Sequence, residues 1–163
     1  MRKTMLRRWT TIACFSLVAA IAGVAGAGLA RAHDAEHYAA GAPGDPKTPA
    51  RVIELRMTEA DGKMLFQPDR IEVRRGEQIR FVLKNTGALE HEFMLATKAE
   101  NAKHAELMQK YPDMEHDDPN GRRVKPNGES QILWRFTKPG EFEFACLIPG
   151  HYESGMRGTI IVK

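Results

Sequence analysis

Cys146-Leu-Ile-Pro-Gly-His151-Tyr-Glu-Ser-Gly-Met156 carries a thiol, an imidazole and a thioether, with four residues between each and the next. These are soft or borderline donors, the set that selects copper over magnesium, calcium or manganese. Two His and one Cys around a single copper, with a weak axial Met, make an electron-transfer site. The stretch is short of one imidazole. His91 is the best supplier, because His91, Phe93 and Leu95 alternate and so share one face of a strand. By the same alternation Cys146 shares a face with Phe142 and Phe144. Both donors then point into an apolar interior, where a thiolate without a cation is costly.

Taken singly, each residue has an ordinary explanation. A buried Cys is commonly a small core residue, a lone strand His is commonly hydrogen-bonded in the core, and Met fills gaps. Their joint spacing favours the metal. Zinc would favour more thiolates or a Cys-x-x-Cys pair, and Cys146 has no such neighbour. No Cys-x-x-x-Cys pair points to a dinuclear copper centre either. Pro149-Gly150 is a turn dipeptide able to return His151 toward Cys146, and Gly155 and Gly158 bracket Met156.

The elements that must position these donors follow a signal-like leader. Residues 1–32 run from Arg2, Lys3, Arg7 and Arg8 through an apolar stretch to Ala30-Arg31-Ala32, the pattern of a secretory signal cleaved after Ala32. Its glycine- and alanine-rich composition argues against a retained membrane anchor. Five of the 24 Lys plus Arg and none of the 21 Asp plus Glu lie there, so the remainder carries 19 against 21. The overall charge of +3 therefore belongs to the leader, and nothing in the charge balance supports nucleic-acid binding. Cys14 leaves with the leader, and Cys146 is then a lone thiol in an exported, periplasmic chain unless something occupies it.

Residues 33–50, with Gly41, Pro43, Gly44, Pro46 and Pro49, read as a flexible N-terminal arm, and 51–163 as one domain. Strand signals occur at 51–57, 71–74, 78–85, 89–95, 130–137, 141–146 and 158–163, separated by Gly, Asn and Pro turns. The expectation is an all-β sandwich of about seven or eight strands. One short helix is inserted at about 98–111, where Ala99, Ala102, Ala105 and Met108 recur at helical spacing before Pro112. Residues 112–127 read as a polar loop.

The domain resembles the cupredoxins, the type 1 or blue copper proteins, over roughly residues 51–163. Besides the ligand loop, Phe66-x-Pro68-x-x-Ile71-x-Val73-x-x-Gly76, followed by Phe81 and Asn85, is similar to that family's N-terminal half. The Cys–His spacing is similar to azurins and auracyanins rather than to the tighter plastocyanin loop. His91-Glu-Phe-Met94, Met114-Glu-His-Asp-Asp-Pro119 and Phe144-Ala-Cys-Leu-Ile-Pro-Gly-His-Tyr152 resemble bacterial periplasmic cupredoxins linked to copper tolerance. The resemblance implies a cupredoxin-like Greek-key sandwich holding one type 1 copper ion per chain. It makes His91, Cys146 and His151 the equatorial ligands and Met156 the axial one.

One-electron transfer, without catalysis, is the function these features favour. The expected partner is a redox protein docking on an apolar patch around His151 (Leu147, Ile148, Pro149, Tyr152), with no nucleic acid, no membrane after cleavage, and a monomeric chain. Asn85 and Glu90 are candidates for steadying the ligands from outside. The alternative is a copper-tolerance protein that binds, buffers or oxidises copper through extra sites. His33 and His37 on the arm and Met114, His116 and Asp117 in the loop are its candidates, while His104 and Met108 read as ordinary helix residues.

Overall fold

The computed structural model describes residues 38–112 and 118–163. In chain order these form β1 (Ala42–Pro43), β2 (Arg51–Ala60), β3 (Lys63–Gln67), β4 (Arg70–Val73), β5 (Gln78–Asn85) and β6 (His91–Ala96). There follow α1 (Lys98–Lys110), β7 (Gly121–Val124), β8 (Glu129–Arg135), β9 (Gly140–Ala145) and β10 (Arg157–Val162). Two five-stranded sheets result, in the orders β1-β8-β5-β2-β3 and β4-β10-β9-β6-β7. The β2–β5 and β4–β10 pairs are parallel and the others antiparallel. The all-β sandwich with one short helix is as expected. β1, β3 and β7 were not anticipated, and β7 lies inside the stretch read as a polar loop.

Alternation along the strands sorts side chains between two apolar clusters. Phe93 and Leu95 of β6 and Phe142 and Phe144 of β9 enter the core between the sheets. Their neighbours Met94 and Ala145 face the other way, where they pack with Met108 of α1 and Leu147. Phe93 stacks on Phe144 with ring centroids 5.5 Å apart, and Phe66 stands edge-on to both. Aromatic pairs of this kind contribute about 0.5–1.5 kcal/mol each beyond their burial. Phe93 is two residues from His91 and Phe144 two from Cys146, so this stack sets the spacing of the strands that carry them.

The helix begins with a capping box. The Thr97 side chain accepts from the Glu100 amide while Glu100 accepts from the Thr97 amide, which satisfies two donors of the first turn. Its inner face is Asn101, Ala105 and Met108, whereas Ala99 and Ala102 are exposed. The buried stripe is thus rotated from the alanine pattern, because Asn101 satisfies its amide on Glu143 at 3.1 Å.

The arm expected over 33–50 is, from Tyr38 onward, part of the sandwich. β1 pairs with β8, Ala40 and Ala42 are buried, and the Tyr38 ring stands edge-on to Trp134 at 5.3 Å. Gln78 fastens the segment: its carbonyl accepts from the Asp45 amide (2.8 Å) while its amide donates to the carbonyls of Asp45 (3.0 Å) and Thr48 (2.8 Å). Composition missed this because a two-residue strand and a side-chain clamp leave no hydrophobic period. Gln78→Ala removes three partly buried hydrogen bonds, and a loss of about 2–3 kcal/mol is expected. Urea denaturation and proteolysis within 38–50 check it; unchanged stability and resistance would refute the clamp.

Candidate metal centre

His91 is the first residue of β6 and Cys146 the first after β9. These strands are antiparallel neighbours with Met94 opposite Ala145, so both residues emerge at the same end of one sheet. His151 is returned to that end by the loop joining β9 to β10. The loop is closed at its base, since the Cys146 amide donates to the Met156 carbonyl (3.0 Å) and the Met156 amide to the His151 carbonyl (3.1 Å). The His151 amide donates to the Ile148 carbonyl across the expected Pro149-Gly150 turn (3.0 Å), where Gly150 takes φ +87°.

One donor atom from each of His91, Cys146 and His151 lies within 4.8 Å of the others. The Nδ1 atoms of the two imidazoles are 3.2 Å apart, and Cys146 Sγ is 3.3 Å from His151 Nδ1. His91 and Cys146 are fully buried and His151 is 9% exposed. Met156 is buried in the same core cluster as Cys146.

Burial dominates the electrostatics. It pushes the Cys146 thiol from its ordinary 9.0 up to about 12, with the Glu92 charge adding to the rise and the amides of Glu92 and Ile148 opposing it. Burial also lowers the pKa of both imidazoles, helped at His151 by His91 and opposed at His91 by Glu59. At neutral pH the site therefore offers uncharged imidazole nitrogens, ready as donors, and a thiol that gives up its proton on meeting a cation. Two nitrogens and a thiolate sulfur, with a thioether buried in the same cluster, fit copper.

The family model for copper-binding proteins of the plastocyanin/azurin family matches residues 53–163. The chain belongs to this family. It is 48% identical over 134 residues to the copper-resistant cuproprotein CopI of Rubrivivax gelatinosus, covering 82% of this chain and 79% of that one. It is 36% identical over 172 residues to the protein of the same name from Pseudomonas aeruginosa, covering 88% and 93%. Reduced auracyanin from Roseiflexus castenholzii shares the fold, with a TM-score of 0.58 and 24% identity over 71% of this chain and 99% of that one.

As a member of the plastocyanin/azurin family the chain binds copper, and the groups around the three donors can be placed. The Glu92 amide donates to Cys146 Sγ at 3.2 Å, and the buried Glu92 carboxylate accepts from the Leu147 amide at 3.3 Å. Asn85 steadies the turn before His91, as expected: its amide donates to the carbonyls of Leu89 (2.7 Å) and Val124 (2.9 Å) and its carbonyl accepts from Gly87 (2.9 Å). The carboxylate of Glu90, the other candidate, faces Arg123 at 3.7 Å.

Glu59 was missed. Its Oε1 lies 2.8 Å from His91 Nε2, from the opposite sheet. The signal was legible in outline, because Ile53, Leu55 and Met57 form the inward row of β2 and Glu59 is its next member. Two expected patch residues also sit elsewhere. Leu147 is 3% exposed beneath α1, and Tyr152 packs against that cluster while its hydroxyl donates to Glu143 at 3.0 Å. Strand alternation carries Leu147 to the helix side, one residue beyond the inward-facing Cys146. His33, His37, Met114, His116 and Asp117 lie outside the described residues.

The pKa directions dictate the stability of the metal-free protein. His91 and His151 have folded values below 6.5, so the unfolded chain binds more protons in acid, and stability is lost as pH falls from about 6.5. Cys146 has the opposite sense. Its folded value is raised, so its contribution is whole below 9.0 and is lost as pH rises toward about 12. Urea midpoints across pH should show both limbs, with the alkaline loss smaller in Cys146→Ser. An identical alkaline limb in that variant would show that the thiol is not responsible.

Proposed function

We propose that this chain is an exported, periplasmic type 1 copper protein that passes single electrons and has no catalytic reaction of its own, and that copper resistance is its setting. The observation that carries the reading is the convergence of two imidazoles and one thiol in a buried core, one donor atom each within 4.8 Å. Copper bound there exchanges one electron between Cu(I) and Cu(II).

The chain's own part is to hold the donors still. The closed loop of residues 146–156 fixes His151 relative to Cys146, and the Glu92 amide favours the thiolate by donating to Sγ. Met156, buried in the same core cluster as Cys146, is the axial donor in this reading. Donors exposed by no more than 9% give a substrate no open approach, which supports electron passage over catalysis. His151 is the one donor that reaches solvent, and with Nδ1 turned inward its outer ring edge is the route out. Exposed Pro149 and half-buried Ile148 in the loop that carries His151, with exposed Leu89 two residues before His91, are the apolar residues we assign to a rim suited to brief contact with a redox protein. The relatives named copper-resistant cuproproteins, 48% and 36% identical, support the physiological setting.

Titration of the mature chain with copper is expected to give one equivalent with an intense thiolate-to-copper absorption band, absent in Cys146→Ser. No such band in the wild type would refute a type 1 centre. Further colourless equivalents lost on changing His33, His37 and His116 would add a buffering role. The rim has its own test. Leu89→Glu and Ile148→Glu together place like charges at the contact of two molecules, and electron self-exchange, read from NMR line broadening in part-oxidised samples, is expected to slow about tenfold or more. An unchanged rate would remove this face from the electron route.

A further inference from the structure

We infer that Glu59 is a positioning residue for the copper centre, holding His91 in the tautomer that presents Nδ1 to the metal and biasing the couple toward the oxidised ion. The inference rests on the copper reading above. His91 Nδ1 faces His151 Nδ1 at 3.2 Å, so Nδ1 is the atom on the donor side. For that nitrogen to offer a lone pair, the ring proton must sit on Nε2. An ionised carboxylate only accepts hydrogen bonds, and Glu59 Oε1 at 2.8 Å therefore selects the Nε2–H form.

The surroundings are built for this carboxylate. Glu59 Oε2 accepts from the Ala88 amide (2.9 Å) and Oε1 from the Leu89 amide (3.1 Å), so the turn entering β6 wraps around the group. Gly87 leaves the space: a Cβ there would run into both Glu59 oxygens. The carboxylate also crosses between sheets, since β2 belongs to the first and β6 to the second. One side chain thus ties a ligand on one sheet to the inward row of the other.

Charge follows from position. A carboxylate hydrogen-bonded to the far nitrogen makes an imidazole a stronger donor, and the more positive ion gains more from it. Loss of such a partner costs about 10–100-fold in metal affinity. The Glu59 side chain is 26% exposed, and partial solvent screening argues for the lower end of that range.

The test compares wild type with Glu59→Gln, which keeps an acceptor and drops the charge, and Glu59→Ala, which drops both. In the metal-free proteins, nitrogen-resolved NMR of the His91 ring is expected to show the Nε2–H tautomer in wild type and a mixture in Glu59→Ala. In the loaded proteins, Glu59→Gln is expected to weaken Cu(II) binding about tenfold with Cu(I) binding little changed, a rise in reduction potential of about 59 mV for a one-electron couple. Wild-type tautomer and potential in both variants, whatever their stability, would overturn the inference and leave Glu59 as a staple for the 87–89 turn. If Glu59→Ala does not fold, Glu59→Gln decides alone through its potential. A wild type with no thiolate band would overturn the copper reading, and with it the bias on the couple, while the metal-free NMR still reports on the tautomer.

Discussion

Two imidazole nitrogens 3.2 Å apart, with a sulfur 3.3 Å from one of them, repel one another unless a cation or a shared proton lies between. Exposed to water the three groups would turn away and solvate. Here they cannot, because His91 and Cys146 are fully buried and His151 nearly so. The arrangement therefore suits a positive ion that takes the place of those protons, and the fold must hold it in position. Burial sharpens the selection: it keeps protons off the imidazoles, so a proton competes poorly for the nitrogens, and it holds the proton on the thiol, so only a thiophilic metal binds sulfur strongly enough to displace it.

Resistance to relaxation comes from both sheets. The donors belong to the second sheet and its β9–β10 loop, whose base is closed by main-chain hydrogen bonds that need no metal. The first sheet contributes Glu59, and the aromatic stack of Phe66, Phe93 and Phe144 lies between. Stacked rings two residues from two of the donors leave little room for the strands to slide, because a close-packed interior transmits displacement rather than absorbing it. Helix α1 and Leu147 close the other face of β6 and β9, which explains why every residue from His91 to Leu95 is buried.

What could be read from the sequence was whatever repeats with a period or carries rare chemistry. Alternation placed His91 with Phe93 and Cys146 with Phe144, and the four-residue gaps between Cys146, His151 and Met156 pointed to one loop. Short elements escaped because they have no period of their own. β1 has two residues and the chain after it is held by Gln78, while β7 has four and lies in a stretch whose Arg122 and Arg123 look like solvated loop. Glu59 escaped for another reason: a charged residue at the end of an apolar row reads as the point where the strand leaves the core. Only the turn of residues 87–89, folded over it by tertiary contact, shows that the row continues. Leu147 and Tyr152 were assigned to the surface by proximity to His151, and the helix that covers them cannot be placed from its own sequence.

The two histidines are not equivalent, and the difference follows from what holds each one. His91 is anchored at Nε2 by a carboxylate from the opposite sheet, with no exposed surface. His151 has no such anchor among its described hydrogen bonds; the loop's main chain places the residue, its Nδ1 meets His91 and Cys146, and the ring keeps an edge in solvent. A ring bound on both sides resists reorientation, so His91 is suited to setting the energy of the couple. A ring bound on one side and open on the other is the one suited, in the proposed reading, to meeting a partner without disturbing that setting. The two rings lie at opposite edges of one centre, so the exposed edge of His151 can vary its surroundings while Glu59, Gly87 and the β2 row keep the first ligand in place.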